Sequence, residues 1–149
     1  MDGYRWNLRV RSTGSGEAMA YVRTHQFGIG APVHFDEEYH RVTALEYVLA
    51  ALGADVVTGF RTLARRRRLS IDHVESVVSG ELNNALSYLG VIGEDGHPGL
   101  ERITIRVYVG SDESEEQLRQ VWQEVLARSP LVHTFAPAVT LDLRLTTAL

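Results

Sequence analysis

The sequence predicts an α+β fold in which antiparallel or mixed sheets surround one long, buried central helix. Three observations carry that prediction. Short segments of alternating polarity occur near both ends and in the middle of the chain, as half-buried strands do. Residues 43–63, TALEYVLAALGADVVTGFRTL, put Leu45, Val48, Leu52, Val56, Gly59 and Leu63 at helical spacing on one face. The elements run strands, helix, strands, helix, strand, which is not a repeated βαβ series.

Residues 5–11 alternate and read as a strand. Gly14-Ser15-Gly16 is a turn and residues 18–24 a second strand, which makes a hairpin. Residues 25–32 contain two glycines and a proline and read as a bend or loop. A short extended piece follows at 33–35, and 36–41 is polar and irregular. Thr43 followed by Glu46 forms a capping box that starts the central helix. The other side of that helix carries Ala50, Gly53, Ala54 and Val57, so it must pack on more than one side. It ends in Arg65-Arg66-Arg67-Arg68, cations at the negative end of the helix dipole, and the run reads as a solvated helix end.

Residues 74–83 and 100–109 read as strands. The second alternates cleanly, with Ile103, Ile105, Val107 and Val109 against Arg102, Thr104, Arg106 and Tyr108. The loop between them holds Gly90, Gly93, Gly96, Pro98 and Gly99 and has no EF-hand spacing. Leu118, Val121, Trp122, Val125 and Leu126 form an amphipathic helix, with Ser114 and Gln117 as its capping box and Pro130 closing it. Residues 139–145 are the final strand. No linker or repeat interrupts the chain, so residues 1–149 read as a single domain.

The 149 residues suffice for one real core. A net charge of −4 argues against nucleic acid as a partner. There is no cysteine, which removes disulfides, thiolate metal sites and thiol nucleophiles. The N-terminus has no signal-peptide pattern, and the low-polarity stretch 47–60 is too short and too polar to span a bilayer. No membrane partner and a cytoplasmic location are therefore expected.

Asp55 is the residue that stands out. It is the only charged residue between Glu46 and Arg61, and it sits at the edge of the apolar face. Burial of an unpaired carboxylate is very unfavourable, so Asp55 is expected to be buried with a partner.

The layout and two segments resemble the OsmC/Ohr family of osmotically inducible protein C and organic hydroperoxide resistance proteins. The segments are TALEYVLAALGAD at 43–55 and RSPLVHT at 128–134. In the family the first reads like Asn-Pro-Glu-Glu followed by leucines, alanines and a Cys; the second reads like a Cys-Pro pair. The resemblance puts the peroxidatic Cys on Asp55, the resolving Cys on Ser129 and a site Glu on Leu45. No residue of the early hairpin is matched to the active-site Arg. The resemblance implies an intertwined homodimer, an OsmC-like fold and a pocket built from both chains. Its peroxide chemistry needs a thiolate and a second thiol, so cysteine-dependent hydroperoxide reductase activity is not expected.

What remains is a small apolar or mixed ligand held in a dimer-interface pocket around Asp55, with Ser129, His133, Val48 and Leu52 beside it. One alternative is a non-redox enzyme using Asp55 with His133, in acid–base or metal-assisted chemistry. Asp55, Ser129 and His133 also have the residue types of a hydrolase triad, without a Gly-x-Ser-x-Gly elbow. The other alternative is a structural or interaction protein with a degenerate site. No His-x-x-x-His pair exists among His25, His34, His40, His73, His97 and His133, so no metal and no cofactor are predicted.

Overall fold

A computed structural model describes residues 3–32, 34 and 40–148. The chain divides into two compact units, Met1–Val48 and Leu49–Leu149, with the division falling inside the long helix.

The first unit is built on a three-stranded antiparallel sheet, β1 (Arg9–Ser12), β2 (Ala18–Val22) and β3 (His25–Ile29), in the order β1-β2-β3. The hairpin predicted around Gly14 and Gly16 is present, and both glycines have positive φ, as a tight turn requires. The loop expected at 25–32 is a correction: most of it is β3, paired with β2 from Val22↔His25 to Ala18↔Ile29. Gly28 reads as a breaker in the sequence, yet a side chain there would strike the Arg41 guanidinium. That glycine serves a close approach within a strand. Most of the extended piece at 33–35, and residues 36–39 of the irregular stretch, lie outside the described residues.

The central helix α1 spans Ala44–Arg66. Its start is the predicted capping box. Glu46 Oε1 accepts from the Thr43 backbone N–H at 3.0 Å and from the Thr43 hydroxyl at 2.8 Å, and the Glu46 N–H donates back to Thr43 Oγ1 at 3.4 Å. The backbone bond from Thr43, followed by its hydroxyl bond, holds the Glu46 carboxyl below the usual carboxylate range. A carboxylate with a lowered folded value stabilises the fold above the unfolded value near 4.5 and loses that contribution as pH falls through the folded value. The melting-temperature gap between wild type and Glu46→Gln is therefore expected to be constant near neutrality and to close in acid below that value. A gap unchanged down to pH 3 would overturn the assignment.

The second unit holds a mixed sheet, β4 (His73–Leu82), β5 (Leu100–Gly110) and β6 (Thr140–Ala148), in that order. β4 and β5 are antiparallel, and β5 and β6 are parallel from Arg102↔Thr140 to Gly110↔Ala148. A parallel pair needs a long crossover, which here is α3 (Glu115–Arg128) followed by α4 (Pro130–Phe135). One βαβ unit thus sits inside the α+β fold. The Gly-rich loop after β4 contains one short turn of helix, α2 (Ala85–Tyr88), capped by the Asn84 side chain.

The core of this unit is one cluster. Leu52, Val56 and Phe60 of α1 pack with Ile103, Ile105, Val107 and Val109 of β5 and with Leu118, Val121 and Val125 of α3. The alternation read from β5 is obeyed, since those four residues are fully buried while Arg102 and Tyr108 are exposed. Leu141, Leu143 and Leu145 of β6 close the cluster from the side. By length and composition α1 could cross a membrane, yet these residues of it lie in the protein core.

Gly53 explains how closely α1 approaches the sheet. A Cβ there would lie 2.8 Å from Val78 Cγ2 and 3.0 Å from Ser76 Oγ. Gly53→Ala would gain about 1 kcal/mol of helix propensity and lose about 1–3 kcal/mol to overpacking against a stiff β-branched neighbour. The expected net result is a destabilised protein, read as a lower midpoint in urea.

Candidate functional site

Leu52, Val56 and Phe60 face the core at intervals of four residues. Asp55 precedes Val56 by about 100° of helix rotation and so falls at the side of the buried face. It is half-buried rather than buried, a correction to the expectation that its carboxylate leaves water altogether.

The other half of the site comes from the α3–α4 corner. The expected helix stop at Pro130 is also a helix start. Pro130 occupies the first turn of α4, where a missing N–H costs nothing. Ser129, before it, serves both helices. Its N–H donates to the Val125 carbonyl at 2.9 Å, and its Oγ accepts from the Val132 N–H at 3.1 Å. The Ser129 hydroxyl hydrogen goes to Asp55 Oδ2 in a very short hydrogen bond. The same oxygen accepts weakly from the Leu131 N–H at 3.4 Å. Ser129 is 5% exposed, so this bond satisfies a hydroxyl that would otherwise be buried unpaired.

Beside the pair is a cleft of about 230 Å³. Gly59, Leu63, Val125 and Pro130 form its apolar walls, Thr58 and Thr62 add hydroxyls, and Arg128 adds a guanidinium. The Arg128 guanidinium pairs with Glu124 at 2.9 Å and is 62% exposed. A hollow of about 420 Å³ elsewhere is lined by Asn83, His97, Leu100, Glu101 and residues 136–140, and it contains neither Asp55 nor Ser129.

Of the residues singled out from sequence, the fold brings Asp55 and Ser129 into contact across 74 positions of chain. His133 is exposed, and its ring Nε2 bonds the Ala127 carbonyl at 2.8 Å. Ser129 donates to a carboxylate and not to an imidazole, so no triad is assembled in this geometry. Leu52 is fully buried in the core and does not line the cleft. Leu45 and Val48 are half-buried in the first turns of α1, within the first compact unit. Among the described residues, no three His, Asp or Glu side chains gather as metal ligands. The sequence reading missed Thr58, Thr62 and Arg128 as cleft residues and took Gly59 for packing. Gly59 carried the available signal, because a glycine one turn from Asp55 leaves space where a side chain would stand.

The family model described as OsmC-like protein matches residues 36–144. The chain belongs to the OsmC family. Solved OsmC-like structures share its fold. An OsmC-like protein from Mycoplasma pneumoniae superposes with a TM-score of 0.81 at 17% identity, covering 100% of each chain. An organic hydroperoxide resistance protein OsmC from Legionella pneumophila gives 0.70 at 9% identity, covering 98% of this chain and 99% of that one. The organic hydroperoxide resistance protein OhrB of Bacillus subtilis gives 0.64 at 15% identity, covering 96% and 98%. No curated protein sequence matches the chain. At these identities the superpositions carry the fold alone. Membership, together with a complete lack of cysteine, defines an OsmC protein without the means for thiol peroxidase chemistry.

Proposed function

We propose that this OsmC protein binds a small apolar or mixed ligand in the cleft beside Asp55, acting as a cytoplasmic homodimer without redox chemistry. The observation that carries the reading is the position of the Asp55–Ser129 pair, on the wall of a preformed and largely apolar cleft. A few polar groups on an apolar wall are what orient a small ligand. The dimer rests on α1. Ala50, Ala51, Ala54 and Thr58 form an exposed face of small side chains along the middle of that helix. Small side chains permit close approach of a second helix, and a partner there would cover the side of α1 next to Asp55.

Gly59→Leu tests the cleft. The glycine has room for a Cβ, whose nearest neighbour is Val125 Cγ1 at 3.7 Å. The larger side chain fills the hollow while helix propensity improves by roughly 0.5–1 kcal/mol. Wild type is expected to show ligand-induced melting shifts in a fragment screen, and Gly59→Leu to melt no lower and show none of them. Equal shifts in both proteins would remove the cleft as the site. Light scattering should return twice the 16.6 kDa chain mass, and the chain mass itself would remove the dimer.

A second reading is favoured by the same hydrogen bonds. Asp55 ties α1 to the α3–α4 corner, and that tie has structural value without any ligand. In that case no fragment shifts wild type, and Asp55→Ala costs only stability.

A further inference from the structure

We infer that the first unit folds only against a second copy of this chain, and that Trp6 and the apolar stripe around it are the surface the two copies exchange. The inference rests on the homodimer of the reading above and names where that homodimer gets its contact area and what it does for folding.

The first unit has almost no interior of its own. Among its described residues Ala20 and Thr43 alone are buried, whereas the second unit buries the whole cluster around Phe60. A small sheet needs a covered hydrophobic face to be stable, and so short a segment rarely supplies its own cover.

The pairings Val10↔Ala20 and Ala20↔Phe27 put those three residues on one face of the sheet. At the β3 edge that face is covered. The Tyr47 ring lies 5.3 Å from Phe27, and its hydroxyl donates to the Gly28 carbonyl at 2.9 Å. At the β1 edge the face is bare. Val10 is 59% exposed, and Leu8, Trp6 and Tyr4, at every second position before it, are 55%, 77% and 88% exposed. The Tyr4 and Trp6 rings stack with centroids 6.3 Å apart, so both lie on the same side of the chain. Arg5, Asn7 and Arg9 alternate with them.

A lone chain in water rarely exposes so continuous an apolar stripe. Each aromatic side chain buries about 150–250 Å², so the two stripes of a pair of copies offer roughly 1,000 Å². The small-residue face of α1 brings the total towards the roughly 1,200–2,000 Å² of a specific interface. A unit without an interior also needs its cover permanently and in equal number, which a second copy of the chain supplies. A two-fold axis lets each stripe cover the other copy.

The chain has 2 tryptophans, Trp6 in the first unit and Trp122 in the second. Incorporated fluorotryptophan gives each its own fluorine resonance, assigned with Trp6→Phe. In wild type of dimer mass, the Trp6 resonance is expected to shift little between water and heavy water, as a buried indole does. Leu8→Ser is expected to weaken the dimer roughly tenfold or more. As its mass falls to that of one chain, the Trp6 resonance should move to its position in urea while Trp122 stays. A full solvent shift at Trp6 in a dimer, or a single chain in which Trp6 keeps its folded position, would overturn the inference and leave the homodimer standing. Wild type of single-chain mass would remove the homodimer and this inference with it. The wild-type solvent shift decides the matter even if Leu8→Ser aggregates.

Discussion

Purified protein mixed with cumene hydroperoxide and a dithiol is expected to consume peroxide no faster than a protein-free control. Thiol-based peroxide reduction requires a thiolate to attack the peroxide oxygen and a second thiol to resolve the product. The chain holds no cysteine at all. Asp55 and Ser129, the two positions that the resemblance sets against the family's cysteines, bond each other through their side chains. Oxygen in a carboxylate or a hydroxyl cannot run that cycle. The 2 methionines can take up oxygen once each, but a dithiol does not return them through a site on this protein. Catalytic turnover comparable to that of cysteine-bearing relatives would overturn the assignment.

Two substitutions on one helix are expected to separate folding from function. Phe60→Ala removes a ring with 0% exposure from the α1–β5–α3 core and should cost about 3–5 kcal/mol. Asp55→Ala removes an acceptor at the side of the same helix. It strands the buried Ser129 hydroxyl and the Leu131 N–H, and should cost about 1–3 kcal/mol. Urea denaturation followed by circular dichroism measures both. The order matters more than the values. If Asp55→Ala proved the costlier of the two, the carboxylate would be a main structural support and a ligand role would lose its footing. Because Asp55 is half-buried and Phe60 fully buried, the smaller loss is expected for Asp55→Ala.

Both helix starts were legible because a capping box is a local signal. Thr43 with Glu46 and Ser114 with Gln117 satisfy backbone donors within one turn, and the structure uses both. The buried face of β5 was legible because alternation has a fixed period of two. Three elements were not. β3 was obscured by Gly28, a residue that commonly marks a turn and here sits inside a strand beside the Arg41 side chain. α2 is four residues long and too short to show periodicity. α4 was obscured by Pro130, because the same residue that ends one helix suits the first turn of the next.

The sequence by itself determined that Asp55 is anomalous, that no thiol chemistry is available, and that the OsmC pattern runs through residues 43–55 and 128–134. These are statements about residue identity and local spacing. Only the tertiary structure decided that Asp55 and Ser129 touch, that His133 turns to Ala127 instead, and that Gly59 leaves a cleft beside the pair. The parallel pairing of β5 and β6 carries α3 and α4 back across the core and brings Ser129 against α1. Contacts over so many positions depend on how elements pack, and packing has no period that a sequence pattern can display.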